Sequence, residues 1–549
     1  MKKTIQIFFL GLLGLLLYGA AGWTVFHQNG FQAQRREPVT ITWFVAEEGY
    51  AKVWNPEKNV ADAKILRNTG VNLEIKSGNL TDLDALIATD SLPDLITVET
   101  GAPERLLLEN SGKAEPLEPL FEKYGKDVNI PDSMKEWYRN EDGNWYSIAS
   151  YYYGPERVNP EFGGYLLTHN NNYVRSDLLA QTGVPMEDLR TKEGLLKALR
   201  AAKGLTYNGQ EVIPYSGWWT QNVAEQFGMR IEDAHGNYLS KYRQPEWLEA
   251  LQFGNQMYRD GLMQPEEFTE SLSQRRKQIQ SGRIFFCTGY SNVQEAKDIL
   301  YSDDKNAQIM YVGQVRGNAG NMPNLKSVSS GGWTATMVYA GSQYKREIAE
   351  FISYMTEEEA TLDAAPSIGT ETYDIVDNSY VIRESVKQEF AKDYQKASEK
   401  YYLNLEFFVD WTIVQKHQPP TERRDFLQQY QNCKIYDSKA VDAASTVDAD
   451  SGLQDLKEKI DSFYSSAEIE ILTSDSRESC TRKYQETIEK MERMGLGDLE
   501  AYERQKYQQA KGISKLTLVS FPGTLAKDRQ LFFPKYSSSR ALTFLSPTE

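Results

Sequence analysis

Apolar and polar positions along the chain follow two periods, and their order predicts its elements. Val39-Thr40-Ile41-Thr42-Trp43-Phe44-Val45 is β-branched and aromatic, which predicts a strand. Ala61 to Asn68 follows as a helix ended by Gly70, and Val71-Asn72-Leu73-Glu74-Ile75 returns to period two. Thr81 stands where a helix cap is needed for a helix with Leu83, Leu86 and Ile87 on one face. Leu92 to Val98 reads as a third strand behind a turn. Strand, helix, strand, helix, strand predicts an α/β unit with a largely parallel sheet.

The alternation returns further along. Gly164 to Thr168 and Asn171 to Val174 are strand candidates. Thr191 caps a helix whose Leu195, Leu196, Leu199 and Ala202 face one way, stopped at Gly204. Trp247 to Tyr258 predicts another amphipathic helix, and Ile284-Phe285-Phe286 a short buried strand after Gly282. Ile348, Phe351, Ile352 and Met355 have the i, i+3, i+4, i+7 spacing of a helix face. The last third reads as helical: Tyr484, Ile488 and Met491 share a face, Gly495-Leu496-Gly497 interrupts it, and Asp498 starts a further helix through Ala510. Residues 513–549 have no clear period and read as an irregular tail.

The first thirty residues are an address. Lys2 and Lys3 precede Thr4 to Phe26, which carries no charge and is rich in Leu, Ile, Phe and Gly. That is enough for a hydrophobic helix of about 20 residues to cross a bilayer. Gly19-Ala20-Ala21 offers small residues for signal cleavage, and an uncleaved anchor is the alternative. No cysteine follows Leu17-Tyr18-Gly19-Ala20, so the pattern for lipidation is missing. Either way the remainder is expected outside the cytoplasm, at the cell surface or secreted.

Composition narrows the chemistry. A chain of 549 residues predicts two or more large units. Lys+Arg total 61 against 77 Asp+Glu, a net charge of −16, which disfavours a nucleic-acid partner. Cys287, Cys433 and Cys480 are widely separated, and so are His27, His169, His235 and His417; neither set has metal-ligand spacing. No phosphate-binding glycine loop, nucleophile elbow or cysteine-protease signature occurs. Glycoside hydrolysis needs two carboxylates facing one sugar bond, and Glu47-Glu48 or Asp94 with Glu99 are not singled out from so many acids. The expectation is therefore no catalytic residue, no metal and no cofactor.

Four segments carry a resemblance. Thr89-Asp90-Ser91-Leu92-Pro93-Asp94-Leu95-Ile96 is similar to a Pro-Asp-hydrophobic step that ends a first-lobe strand. Glu141-Asp142-Gly143-Asn144-Trp145-Tyr146 resembles an Asp-Gly hairpin, and leads on to Asn171-Asn172-Tyr173-Val174-Arg175-Ser176-Asp177-Leu178-Leu179. Lys345 to Ala360 followed by Ile368 to Asp374, and Lys490 to Leu499 with Tyr502 and Tyr507, resemble the later blocks of the same pattern. The pattern is that of the family 1 extracellular solute-binding proteins of ABC importers, in their large lipoprotein-type, oligosaccharide-binding subgroup. In place of an acidic loop that can hold calcium in some members, this chain has Leu205-Thr206-Tyr207-Asn208-Gly209-Gln210.

The resemblance implies a two-lobed α/β clamp of the type II periplasmic-binding-protein kind, with hinge crossovers. Lobe 1 would comprise 38–150 and 331–410, and lobe 2 would comprise 151–330 and 411–512. It implies capture of a carbohydrate between the lobes, delivery to ABC permease subunits, and a monomer. A sugar sensor or scaffold without transport, and a secreted glycan hydrolase, are the alternatives. Aromatics make up 12% of the chain. Those gathered at expected strand ends, with nearby acids, give the candidate ligand-binding set Trp43, Glu47, Glu99, Tyr152, Trp218, Trp219, Trp333 and Tyr373.

Overall fold

The computed structural model describes residues 37–513 and 519–520, except 48, 49, 51, 269–271, 290–299, 301–303, 305, 329–330, 366–367 and 448–450. The expected N-terminal hydrophobic helix and most of the expected tail lie outside the described residues. Among the described residues no helix is long and apolar enough to cross a membrane.

In the first part of the chain the strands are β1 (Val39–Val45), β2 (Val71–Ser77), β3 (Leu95–Glu99) and β4 (Ser147–Ala149). Next come β5 (Asn172–Arg175), β6 (Thr206–Tyr207), β7 (Gln210–Glu211), β8 (Ile213–Ser216), β9 (Ile284–Thr288), β10 (Ile309–Tyr311) and β11 (Asn324–Lys326). The remainder are β12 (Thr334–Val338), β13 (Tyr373–Val376), β14 (Ser379–Ile382), β15 (Lys434–Tyr436) and β16 (Val519–Ser520).

One mixed sheet has the order β2-β1-β3-β12-β4. β1 runs parallel to β2 and β3, while β12 is antiparallel to β3 and β4. Both faces are covered, which explains the near-continuous apolar runs. Ile41, Trp43 and Val45 enter one core with Phe351, Ile352 and Phe407, and Phe44 enters another with Leu83, Ile96 and Met337. The helix Val60–Thr69 runs from its Asn59 cap to Gly70 as the pattern predicts.

The next helix, Leu80–Ala88, is capped by Asn79 rather than Thr81. The Asn79 side chain accepts from Asp82 N and the Asn79 backbone N–H donates to the Asp82 carboxylate, a complete capping box. The third strand begins at Leu95 and not at Leu92. Pro93 has no amide hydrogen, and the Asp94 carboxylate instead accepts from Thr42 N at 2.9 Å.

A second sheet has the order β10-β5-β9-β8. Its core joins Val174, Tyr215 and Phe286 to Leu195 and Leu199 of the helix Lys192–Ala202. Ile471, Cys480 and Met491 of the C-terminal helices Gln454–Leu472 and Arg477–Met494 close the same core. Gly164 to Thr168, expected as a strand, is irregular backbone. Tyr165 donates its amide to the Gln415 side chain at 2.8 Å and its carbonyl accepts from the same amide group at 2.9 Å, so no strand partner takes those groups. A third sheet, β11-β15-β16, includes Val519–Ser520.

Three segments run side by side between the first two sheets: 149–153 after β4, 331–333 before β12, and 409–411. Ser150 N donates to Thr334 O at 2.9 Å and Trp333 N to Ser150 O at 2.9 Å. Tyr151 N donates to Val409 O at 2.7 Å. Gly332 has φ 94°, and a Cβ there would sit 2.3 Å from Ser150 O, so only glycine permits this crossing. Asp410, buried beside it, pairs with Arg157.

Candidate functional site

The site is built where the two larger sheets end beside the crossing segments. On the first sheet, Val45 pairs with Thr97, so Glu47 and Glu99 leave parallel β1 and β3 at the same level. Thr334 pairs with Glu99, and Trp333 O accepts from Thr100 N at 3.0 Å, which sets Trp333 beside Glu99. Its ring is 41% exposed. Behind it the Tyr151 ring stacks at 6.2 Å, and Trp411 stacks on Tyr151 at 4.9 Å. One aromatic from each crossing segment thus forms a single column, with Tyr151 in the left-handed region at φ 56°.

On the second sheet β8 ends at Gly217, whose φ is 90° and whose Cβ would lie 1.9 Å from Thr288 O. This turn sends the two following tryptophans in opposite directions. Trp218 goes inward, 7% exposed, with its amide donating to the Glu267 carboxylate at 2.8 Å and its indole to Thr220 Oγ1 at 3.1 Å. Trp219 goes outward, 51% exposed, with the His169 ring 6.0 Å away. Burial, and then the Lys326 charge, lower the His169 pKa, which keeps the imidazole neutral at pH 7. Beneath it Asn170 donates to buried Glu225 at 2.8 Å, and Glu225 also accepts from Lys326 N at 2.9 Å. The Asn222 amide nitrogen has no hydrogen-bond partner in the described structure.

The structure separates the candidate set into groups. Glu47, Glu99, Trp219 and Trp333 stand at strand ends with accessible surface. Trp43 is 1% exposed; its indole donates to Thr97 Oγ1 at 2.8 Å and its ring packs on Phe351, Phe407 and Phe408, leaving no face for a ligand. Tyr152 is also 1% exposed, bridged to Asp410 inside the crossing, and Trp218 is core. Tyr373 lies on the β13–β14 hairpin, its hydroxyl 3.2 Å from Asp363. Among the described residues no contact joins it to Trp219 or Trp333.

The candidate set took Tyr152 from the run Tyr151-Tyr152-Tyr153 and left out Tyr151, and it also left out His169, Glu406 and Trp411. Trp411 also had a local signal, the Asp410-Trp411-Thr412 start of a helix, in which Asp410 accepts from Thr412 N at 2.8 Å. The other three are brought in by distant segments.

A helix-flanked pair of sheets, joined by three crossing segments, with one exposed indole at each sheet end, is the layout of a two-lobed clamp. The family profile of the bacterial extracellular solute-binding proteins matches residues 68–371, more than half the chain, and the chain belongs to that family. Membership places the protein outside the cytoplasm. No curated protein sequence matches the chain.

Solved structures of similar fold include the substrate-binding protein FusA of Streptococcus pneumoniae in complex with kestose. It shares 14% identity over 87% of this chain and 100% of that one, with a TM-score of 0.62. The alginate-binding protein AlgQ2 shares 14% over 86% and 98%, TM-score 0.59. The N-glycan transport protein NgtS of S. pneumoniae shares 13% over 86% and 100%, TM-score 0.56.

The loop that can hold calcium in some family members does not fit that ion here. It is a tight β6–β7 turn through Asn208 and Gly209, both with positive φ, and the Arg175 guanidinium covers the Tyr207 ring at 4.4 Å. Asn208 and Gly209 bring no carboxylate, and the acids nearby are engaged, Asp177 by Arg175 at 2.6 Å and Asp304 by the Tyr207 hydroxyl at 3.1 Å.

Proposed function

We propose that this protein captures a carbohydrate, in particular an oligosaccharide, between its two lobes and delivers it to ABC permease subunits, without turning it over. Lobe 1 comprises 38–150 with 331–410 and lobe 2 comprises 151–330 with 411–512. The helix Trp411–Lys416 rides on lobe 1, where Ile413 packs with Leu362. The observation that carries the reading is the pair of exposed tryptophans, Trp219 and Trp333, one at each sheet end flanking the crossing segments. A sugar offers C–H faces to such rings and hydroxyls to Glu47, Glu99, neutral His169 and the free Asn222 amide. Sugar-binding relatives of the same fold support the choice of ligand class.

On this reading the protein acts as a monomer, held at the cell surface where its N-terminal segment is kept and secreted where that segment is cleaved. A thermal-shift screen of the soluble chain tests the reading. Neutral oligosaccharides are expected to raise Tm in a concentration-dependent way, with no product formed over hours. Absence of stabilisation by every saccharide class, or release of cleaved sugar, would overturn it.

A further inference from the structure

The strand end of lobe 1 is acidic, and Arg105, the cation that follows β3, is engaged by Thr100 O at 2.9 Å and by the Glu109 carboxylate at 3.0 Å. Glu47 and Glu99 are level on neighbouring strands, and Glu406 on the 404–408 loop is close enough to feel the charge of Glu47. Tyr50 fixes that loop: its hydroxyl donates to Asn404 O at 2.7 Å and its ring packs on Phe407 at 5.2 Å. Among the described residues none donates a hydrogen bond to the buried Glu47 Oε2. Burial, and then the charge of Glu99, raise the Glu47 pKa; burial, and then Glu47, lift Glu406 to about 7. The nearest lysine in sequence, Lys52, is paired with Asp62 at 2.7 Å. Among the described residues no three acidic, imidazole or thiol groups come close enough together to hold a metal ion.

The exposed Trp333 ring stands beside Glu99, so a solute seated on that ring would meet these oxygens. A ligand bringing hydrogen-bond donors offsets the cost of burying unpartnered carboxylates, and one bringing its own carboxylate adds to their repulsion. We infer that the sugar unit seated on Trp333 is uncharged or amino-bearing, and that uronates and other acidic glycans are rejected at this edge. The inference rests on the carbohydrate reading and goes beyond it by fixing the charge class of the solute.

Calorimetric titration of the full chain at pH 7.5 with neutral, glucosamine and uronate oligomers of equal length tests it. Neutral or amino oligomers are expected to bind at least tenfold more tightly than uronates. Glu99→Gln narrows that ratio severalfold, while Glu384→Gln, an exposed acid on the helix Glu384–Lys392, leaves it unchanged. Raising the salt concentration also narrows it, because the rejection is electrostatic. Uronate oligomers binding as tightly as neutral ones would overturn this inference and leave the carbohydrate reading standing. Failure of all three classes to bind would remove both.

Discussion

Trp218 and Trp219 are chemically identical neighbours whose surroundings give them different work. The Gly217 turn buries the first beneath the second sheet and exposes the second beside His169. Trp219→Ala removes a stacking surface and little packing. We expect sugar affinity to fall about tenfold, close to 1.4 kcal/mol, with Tm unchanged in the ligand-free protein. Trp218→Ala deletes a core side chain and should cost about 3–5 kcal/mol in urea unfolding. If Trp219→Ala destabilised the chain as much as Trp218→Ala, its ring would be structural rather than a binding surface.

At the scale of elements, function depends on how the crossing segments are joined. They hold one another by main-chain hydrogen bonds, through Ser150, Tyr151 and Trp333, and by the column of Trp333, Tyr151 and Trp411. A hinge of this kind bends through backbone dihedrals while its neighbours stay packed. Gly332→Ala puts a Cβ against Ser150 O at a positive φ. It should lower stability by about 1–3 kcal/mol and shift Trp333, so that affinity falls together with Tm. A Gly332→Ala protein with both values intact would show that the crossing tolerates what its geometry forbids.

Across the whole molecule, several buried carboxyls hold protons longer than free ones. Burial lifts Glu406 and Glu503 to about 7 and Asp363 to about 6. The folded state thus binds more protons than the unfolded chain between about pH 4.5 and 7. The stability these groups contribute is complete below their ordinary values and is lost as pH rises through 6 to 7. His169, held neutral, acts in the opposite direction. A tenfold change in proton affinity is worth about 1.4 kcal/mol; halved for solvent screening, the shifts of the three carboxyls together should lower the unfolding free energy by roughly 3 kcal/mol from pH 5 to 7.5. Urea titrations across that range measure it, and Glu406→Gln should flatten the slope. A flat profile in the unmodified protein would mean these carboxyls titrate normally.

The sequence by itself determined the layered α/β class, most helices and strands, and the family pattern. Those features rest on local periods and caps: the helix Val60–Thr69 with Gly70, the Thr191 cap, the Ile348-to-Met355 face. Two boundaries moved: the local capping box of Asn79 with Asp82 outcompetes Thr81, and Asp94 reaches Thr42 on a neighbouring strand. Glu47, Glu99, Trp219 and Trp333 were legible because strand ends and glycine turns mark exposed positions. Only the tertiary structure decided that Trp43, Tyr152 and Trp218 are interior, since burial depends on what packs from hundreds of residues away, as Phe351 and Phe407 do on Trp43. It alone brought Glu406 to Glu47 and Trp411 to Tyr151, because no period along a chain records which distant segments a fold sets side by side.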